Sequence, residues 1–212
     1  MCNILQVRWT IIPTTAPQPW LVCSGCGGLN AFQCSNKIRL NANGRKLDAW
    51  LIYECTTCDK TWNRSIFERR SVRDIDPATL EALQSNDPNW IQAAAFNLEA
   101  LKRKSQRIDE FADVEVTKEV VGDALGWTDL GIEFSVPFPV STRLDRLLAS
   151  ELAFSRSQLL NRLKNGLIHT NSDSSALLRR RVRDGCRVIL DLSDLENRGM
   201  VGHWAAVAKI SA

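Results

Sequence analysis

The sequence predicts an α+β protein made of a β unit, a helical segment and a second unit that combines helices with strands. Residues 1–75 contain alternating apolar and polar side chains and a hairpin signal, which are typical of strands. Residues 76–139 contain apolar side chains at helical spacing, and residues 140–212 contain two short helical patterns followed by strand-like runs. A chain of 212 residues is long enough for one large domain or for two to three small ones.

Charged side chains are distributed unevenly among these three segments. The formal net charge is +3, but residues 1–75 carry +5, residues 76–139 carry −7 and residues 140–212 carry +5. Alternation of this size indicates units with different surfaces, and a polyanion would bind to the basic ones. No apolar stretch approaches the roughly 20 residues that a membrane span needs, and the N-terminus lacks the pattern of a secretory signal.

Strand signals in the first segment come from alternation and from one turn. Apolar and polar side chains alternate from Val7 to Ile11, which predicts a first strand. Further on, Lys37–Ala42 and Arg45–Glu54 flank the dipeptide Asn43-Gly44. Because these two residues tolerate positive φ, they favour a tight turn between antiparallel strands. The sequence therefore predicts a hairpin in this segment.

Four cysteines in this segment have the spacing of a metal site. Two Cys-x-x-Cys turns, separated by 28 residues, contain Cys23, Cys26, Cys55 and Cys58. Each turn can present two sulfurs to one ion, and the predicted hairpin can bring the turns together, as in a zinc ribbon. Four thiolates close a tetrahedral Zn²⁺ site, so we expect one structural ion without an open position for catalysis. A redox role for a Cys-x-x-Cys turn and a rubredoxin-like iron site are the alternatives.

The other thiols and the two imidazoles give weaker signals. The chain has seven cysteines and no export signal, which favours reduced thiols over a disulfide framework. Cys2, Cys34 and Cys186 are expected to be ordinary free thiols. His169 lies on a predicted strand, and His203 lies in a weakly alternating tail. Two histidines are too few for most imidazole-based zinc enzymes, so we expect structural roles for both.

The middle segment is predicted to be mainly helical. One helix is expected over Pro77–Leu83, and a longer one over Trp90–Arg107. Asp87 is a suitable N-cap for the longer helix, and Pro88 is a suitable first residue. The run Glu133–Val136 is strand-like, and the two prolines that follow it indicate a linker or a sheet edge.

Two short helices are predicted at the start of the third segment. Thr142 followed by Asp145 fits a capping box, and Ser155 followed by Gln158 fits a second one. Gly166 stands where the second helix should end. Leucines at helical spacing give each helix an apolar face, namely Leu144, Leu147, Leu148 and Leu152 on the first and Leu159, Leu160, Leu163 and Leu167 on the second.

A basic run follows the two helices. Between Arg143 and Arg187 there are ten basic and four acidic residues. Exposed amides at a helix N-terminus add to guanidinium charge in attracting phosphate. The region therefore has the composition of a phosphate-binding surface.

The order of residues in this region resembles the S4 RNA-binding domain. The resemblance covers about 50 residues and is carried by Arg143-Leu144-Asp145, Leu147-Leu148, Ser155-Arg156, Gly166-Leu167-Ile168, Asn171 and Arg181-Val182-Arg183-x-Gly185. The S4 family includes a small-subunit ribosomal protein, pseudouridine synthases, tyrosyl-tRNA synthetases and ribosome-rescue factors. It implies an S4-like (αL) α+β domain that grips structured RNA with a helix pair.

The resemblance also implies which side chains would contact RNA. Ser155 and Asp145 take the positions of caps. The contacts with the RNA backbone would come first from Arg143, Arg156 and Arg162, and then from Lys164, Arg181 and Arg183. A solvated basic helix pair that contacts protein is the alternative interpretation.

A second resemblance extends over nearly the whole chain. It is carried by a tryptophan before the first cysteine pair, Asn41-Ala42-Asn43-Gly44, Trp50-Leu51-Ile52-Tyr53 and Thr61-Trp62-Asn63. These motifs are similar to those of a bacterial family known as domain of unknown function 1062. The similarity implies a bacterial, cytoplasmic protein and supplies no activity.

Together these patterns favour a binding protein. We expect a zinc-containing protein in three parts, with a zinc ribbon at 1–75, an acidic helical connection at 76–139 and an S4-like domain at 140–212. It would bind structured RNA, either rRNA or tRNA, and its partners could include the ribosome or a protein complex. The alternative is a protein-interaction adaptor whose S4-like unit has lost RNA binding. An RNA-modifying enzyme is a third hypothesis, but the sequence contains no visible catalytic constellation, so we expect none.

Overall fold

The computed structural model describes residues 3–122, 125–171 and 177–208. Within these residues the chain is α+β, as predicted, with two sheets and six α-helices. The strands are β1 (Ile4–Pro13), β2 (Gln18–Cys23), β3 (Gly28–Asn43), β4 (Lys46–Cys55), β5 (Thr61–Ser71), β6 (Ile108–Asp109), β7 (Val114–Gly122), β8 (Asp129–Ser135), β9 (Ile168–Thr170) and β10 (Arg187–Asp191). The helices are α1 (Pro77–Ser85), α2 (Pro88–Ala95), α3 (Leu98–Lys102), α4 (Leu144–Leu152), α5 (Arg156–Lys164) and α6 (Arg198–Ala206).

The chain forms two compact units. One consists of residues 15–111, and the other combines the residues up to 14 with those from 112 onward. This division differs from the three predicted segments at 1–75, 76–139 and 140–212. Strand β1 belongs to the sheet of the C-terminal part because it pairs with β7 and β8, and the middle segment contributes elements to both units. We call them the inserted unit (15–111) and the host unit.

The inserted unit contains a five-stranded antiparallel sheet in the order β5-β4-β3-β2-β6. The predicted hairpin is present, with Asn43 paired to Lys46 at its end. The two connecting residues are Gly44 and Arg45, and of these Gly44 takes the positive φ of 59°. The turn is therefore displaced by one residue from the Asn-Gly pair that predicted it.

Three short helices lie between β5 and β6 in the inserted unit. In each, the side chain of an N-cap residue accepts a hydrogen bond from a helical amide, at Asp76 (2.9 Å), Asp87 (2.7 Å) and Asn97 (3.0 Å). The predicted cap at Asp87 and the helical start at Pro88 are confirmed. The single helix predicted over Trp90–Arg107 is wrong, because α2 ends at Ala95 and Asn97 caps a new helix, α3.

The core of the inserted unit lies between sheet and helices and includes the sulfurs of two cysteines. Its buried members are Cys23, Phe32, Leu51, Tyr53, Cys55, Ile91, Ala95 and Leu101. Arg64 is also buried and donates to the Tyr53 hydroxyl (3.2 Å) and to the Ala94 carbonyl (2.8 Å), so it ties β4 and β5 to the end of α2.

The host unit is built on a second five-stranded sheet in the order β7-β1-β8-β10-β9. Strand β1 runs parallel to β8, and the other neighbours are antiparallel. The alternation that predicted β1 is confirmed, because Val7, Trp9 and Ile11 are all buried. Trp9 packs edge-on against Phe134, and its indole N–H donates to the Ala205 carbonyl at 2.9 Å, which fixes the end of α6.

The two predicted helices of the host unit are present as α4 and α5. The leucine face of α4 is buried in the core of the unit. At the start of α5, Ser155 and Gln158 exchange the two hydrogen bonds of a capping box, as predicted. The box predicted at Thr142 is wrong, because the N-cap of α4 is Arg143 and the Thr142 hydroxyl donates to the Ala112 carbonyl instead.

Helix α6 was not predicted and is held by a buried lysine. The Lys118 ammonium has no exposed side-chain surface, and it pairs with Glu151 at 2.7 Å. It also donates to the Trp204 carbonyl (2.6 Å) and lies 4.9 Å from the centre of the Trp9 ring. A cation at the C-terminus of a helix interacts favourably with the unpaired carbonyls there.

Among the described residues, the helices are all too short or too polar to cross a bilayer.

Candidate metal centre

The sheet of the inserted unit brings the two Cys-x-x-Cys turns together. Cys23 ends β2 and Cys55 ends β4, and each strand is followed by the turn that contains Cys26 or Cys58. The four Sγ atoms lie within 4.8 Å of one another. The Cys23–Cys58 pair of Sγ atoms is separated by 3.4 Å, and the Cys26–Cys55 pair by 3.9 Å. Zn–S bonds of about 2.3 Å in a tetrahedron place sulfurs about 3.8 Å apart, so the cluster fits one ion.

The two turns have the same backbone conformation. The Gly27 amide donates to the Cys23 carbonyl at 2.9 Å, and the Asp59 amide donates to the Cys55 carbonyl at 3.1 Å. Gly27 and Asp59 both take positive φ, at 73° and 58°. Each turn is thus closed by the fourth residue after its first cysteine. The repeated geometry presents one buried and one exposed sulfur from each turn to the same point.

A close approach between the turns requires glycine at position 25. A Cβ at Gly25 would lie 2.9 Å from the Cys58 Sγ and 2.8 Å from the Lys60 Cγ. The second turn is also tied to strand β3, because the Thr56 amide and hydroxyl both donate to the Ala31 carbonyl, at 3.0 and 3.1 Å. The sulfurs are therefore positioned by backbone contacts that do not involve the ion.

The thiols have unequal proton affinities. A hydrogen bond from the Cys26 amide lowers the pKa of Cys23 to about 7, so this thiol is partly ionised near neutral pH. The hydrogen bond with Cys58 raises the pKa of Cys26 to about 12. Because metals bind thiolates, an ion has to displace protons from the sulfurs that remain protonated. The site is able to hold a metal ion, and its occupancy is expected to fall in acid.

A scan against protein families gives a match over most of the chain. The model described as "Protein of unknown function (DUF1062)" matches residues 40–174, which is more than half of the chain. The chain belongs to the DUF1062 family. The resemblance to this family found in the sequence is thereby confirmed over residues 40–174. The DUF1062 match includes Cys55 and Cys58 and both helices α4 and α5, while Cys23 and Cys26 precede it. Searches of curated proteins and of solved structures give no significant match.

One of the arginines predicted to contact RNA is buried in this DUF1062 protein. The Arg162 guanidinium makes two hydrogen bonds to the Asp194 carboxylate, at 3.0 and 2.5 Å, and one to the Asp191 carbonyl at 2.5 Å. The side chain is 9% exposed. Its predicted role is corrected by this burial: Arg162 ties α5 to the loop after β10 and is not a surface group.

The other five predicted contacts are exposed. Arg143 makes a bidentate pair with Asp145, at 3.1 and 2.6 Å, and keeps 47% of its side-chain surface exposed. A backbone bridge places Arg143 beside Arg181. Arg156 and Lys164 stand at the first and last residues of α5. The remaining one, Arg183, follows the bridged segment and is exposed.

Two further arginines were not predicted as site residues. Arg179 and Arg180 are exposed and line a cavity of about 660 Å³ together with Arg181 and Arg183. The signal that could have found them was the unbroken basic run. The S4 resemblance includes only Arg181 and Arg183, so it passed over the first two residues of this run.

Among the described residues, the cysteine cluster includes neither the spare thiols nor the histidines. Cys34 and Cys186 are free and partly buried, and burial raises the pKa of both thiols. Cys2 lies outside the described residues. His169 is exposed on β9 and His203 is exposed on α6.

Proposed function

We propose that this DUF1062 protein binds one structural Zn²⁺ ion and binds structured RNA, either rRNA or tRNA. The ion would be held by the four clustered cysteines of the inserted unit. RNA would contact the exposed arginines of the host unit through its phosphates. The observation that carries the RNA proposal is the group of four exposed arginines at 179–183, with one acidic residue, Asp184, beside them.

Zinc is favoured by the donor set. Four sulfurs at tetrahedral spacing leave no position for water, which is typical of ions that stabilise small β units. Two of the sulfurs belong to the apolar core, so the ion would link that core to the ends of β2 and β4. Binding of this kind requires no catalytic step, and we propose none.

The metal proposal is tested by elemental analysis of protein purified without added metal. We expect one zinc per chain, no visible absorption of a four-sulfur iron centre, and loss of the ion in Cys55→Ser. Cys34→Ser is the matched control, because this thiol lies in the same unit outside the cluster and should retain the ion. Full retention of one ion and of the fold in Cys55→Ser would contradict a four-cysteine site.

The RNA proposal is supported by arginines that form no ion pair with a described acidic residue. Among the described residues, the ion pairs do not include Arg156, Arg179, Arg180 or Arg183. Arginines of this kind gain most from phosphate because no neighbouring carboxylate has to be released first. S4-type recognition depends on phosphate contacts and RNA shape with little base readout. The affinity should therefore fall steeply with salt.

The decisive experiment compares charge reversals on the surface of the host unit. Binding of a fluorescent RNA hairpin is measured by anisotropy for the wild type and for the Arg156→Glu, Arg183→Glu double variant. We expect a loss of about 1–3 kcal/mol in total and a smaller salt dependence. Arg162 is left intact because its replacement would break a buried ion pair. Arg198→Glu is the control, since this exposed residue begins α6, where an acidic side chain is favourable. Equal affinity in the double variant would refute the proposal.

A second candidate function is a protein-interaction adaptor. Val22 and Leu29 face each other across β2 and β3, next to the first cysteine turn, and are 74% and 64% exposed. Exposed apolar pairs of this size favour protein contact. If the protein is an adaptor, its co-purifying partner will survive nuclease treatment and be lost in Val22→Thr, Leu29→Thr. Val120→Thr, an exposed valine on β7, is the control. Release of the partner by nuclease favours RNA.

A further inference from the structure

The host unit contains a cleft with two chemically different walls. Its volume is about 660 Å³, within the range of about 300–1,000 Å³ typical of ligand clefts. One wall is the apolar segment Val136–Val140, and the other is the segment 179–184. Val182, which is 4% exposed, packs in the core cluster together with both ends of the apolar wall. The cleft is thus backed by packed side chains.

Hydrogen bonds hold the two walls together at both ends. At one end the Val136 amide donates to the Asp184 carboxylate at 2.8 Å. Two residues beyond the other end of the apolar wall, the Thr142 carbonyl accepts a hydrogen bond from the Val182 amide at 3.0 Å. One oxygen of the only carboxylate of the basic wall, that of Asp184, therefore accepts a hydrogen bond from a backbone amide. The two walls are already in place without a ligand, so ligand binding would require little free energy to order them.

The basic wall is strongly positive and faces two cavities. It contains Arg179, Arg180, Arg181 and Arg183. The last three also line a smaller cavity of about 200 Å³, which continues toward Asn171 and Gly185. Among the described residues, no ion pair includes Arg179, Arg180 or Arg183. A row of arginines between two adjoining cavities can contact successive phosphates of one strand.

The opposite wall is suited to a planar ring. It contains Pro137, Phe138 and Pro139. Unpaired bases of RNA stack on aromatic side chains and on guanidinium planes, and such stacking does not require a particular base. Duplex RNA offers phosphates but keeps its bases inside the helix. An apolar aromatic wall opposite arginines therefore matches an unpaired nucleotide better than a paired one.

We propose that this cleft binds one unpaired nucleotide of the RNA. Its base lies against Pro137–Pro139, its phosphate lies on the arginines of the basic wall, and the next phosphate along the strand lies in the smaller cavity. The inference rests on the proposed function and deepens it, because it specifies RNA with a bulged or single-stranded nucleotide as the ligand.

The test uses two RNA hairpins that differ in one nucleotide. One carries a bulged 2-aminopurine, and the other has the bulge deleted. We expect the wild type to bind the bulged hairpin about 5- to 150-fold more tightly, which is the range for stacking of one base, and to quench the 2-aminopurine emission. Phe138→Leu keeps an apolar side chain but removes the ring. It should reduce the preference and the quenching while the affinity for the bulge-free hairpin stays unchanged.

The outcomes separate the two proposals. Equal binding of both hairpins by the wild type overturns the cleft assignment and leaves RNA binding standing. A preference for the bulged hairpin that persists in Phe138→Leu also overturns the cleft assignment. Arg156→Glu should weaken the binding of both hairpins equally. If neither hairpin binds, the proposed function fails, and a single-stranded oligonucleotide containing 2-aminopurine decides the cleft. If the wild type quenches the 2-aminopurine of this oligonucleotide and Phe138→Leu does not, the cleft assignment is supported without the proposed function. If the wild type does not quench it, the cleft assignment is overturned.

Discussion

Replacement of Gly25 by alanine should weaken metal binding without unfolding the inserted unit. The new Cβ would lie 2.9 Å from the Cys58 Sγ, whereas ordinary contacts begin at 3.4 Å. The second turn must therefore move away by about 0.5 Å. Metal–ligand distances tolerate changes of about 0.2 Å. We expect Cys58 to be stretched or lost as a ligand, which should lower the affinity at least tenfold, or by about 1.4 kcal/mol.

The same substitution should have little effect when metal is absent. Without an ion, the Cys58 side chain can rotate away from the new methyl group, and so can the Lys60 stem. Gly27→Ala is the matched control, because a Cβ there meets no atom within 4 Å but the residue has a φ of +73°. Left-handed backbone costs a non-glycine residue about 1–2 kcal/mol with or without the ion. Gly27→Ala should therefore destabilise both forms equally.

Competition with a chromogenic chelator gives the metal affinity of each variant, and urea unfolding in the presence of a chelator gives the stability of the metal-free form. Gly25→Ala should reduce the metal affinity and preserve the stability of the metal-free form. Gly27→Ala should reduce that stability. If Gly25→Ala binds metal as tightly as the wild type, the close approach of the two turns is not what positions Cys58.

Three further predictions concern stability and thiol chemistry. Asp194→Asn should destabilise the host unit by about 2 kcal/mol, measured by urea unfolding at pH 7, because it leaves the buried Arg162 guanidinium without its anion. The Arg162 hydrogen bond lowers the pKa of Asp194, so the wild type should have the larger free energy of unfolding above the ordinary aspartate pKa of about 4. This difference from Asp194→Asn should be lost as the pH falls below that value, and a difference that persists in acid would contradict the pairing. Trp9→Phe should cost about 1–3 kcal/mol and increase hydrogen exchange at the end of α6, because the Ala205 carbonyl loses its donor; unchanged exchange there would show that α6 does not depend on this bond. Removal of the ion with a chelator should make Cys26 and Cys58, the two exposed thiols of the cluster, reactive toward an alkylating reagent, counted by mass spectrometry; an unchanged count would exclude the cysteine cluster as the site of the ion.

The cysteine cluster could be predicted because it depends on local structure. Each Cys-x-x-Cys turn is closed by its own backbone, and a single hairpin between β3 and β4 brings the two turns together. The spacing of the residues and one turn signal were therefore sufficient. The leucine face of α4 and the capping box of α5 could be predicted for the same reason, since both are repeated within one or two helical turns.

The strand pattern of β1 predicted its burial but not its partners. Val7, Trp9 and Ile11 alternate in any sheet, and nothing in the alternation specifies which strands lie beside it. The structure pairs β1 with β7 and β8, more than a hundred residues further along the chain. A division into segments by charge and local pattern therefore assigned this strand to the wrong neighbours.

Arg162 illustrates the same limit for a single side chain. Its position in α5 predicts a polar face, together with Gln158 and Asn165. Its partner Asp194 lies 32 residues later, beyond β10, so only the tertiary fold reveals that the arginine is buried. The break between α2 and α3 is a milder case. Asn97 is an excellent N-cap, but a helical pattern of apolar residues continues through it.

The insertion of residues 15–111 between β1 and β7 along the chain sets an order of events during synthesis. The chain leaves β1 at Thr14 and returns at Asp113, where the Thr14 amide donates to the Asp113 carbonyl at 3.2 Å. At about 5–20 residues per second, roughly 5–20 s pass between the emergence of β1 and that of its first partner. All four cysteines are translated within this interval. In the nascent chain, the apolar face of β1 therefore stays unpaired after all four cysteines of the candidate metal site have been synthesised. The need for chaperones should be greatest before β7 is synthesised.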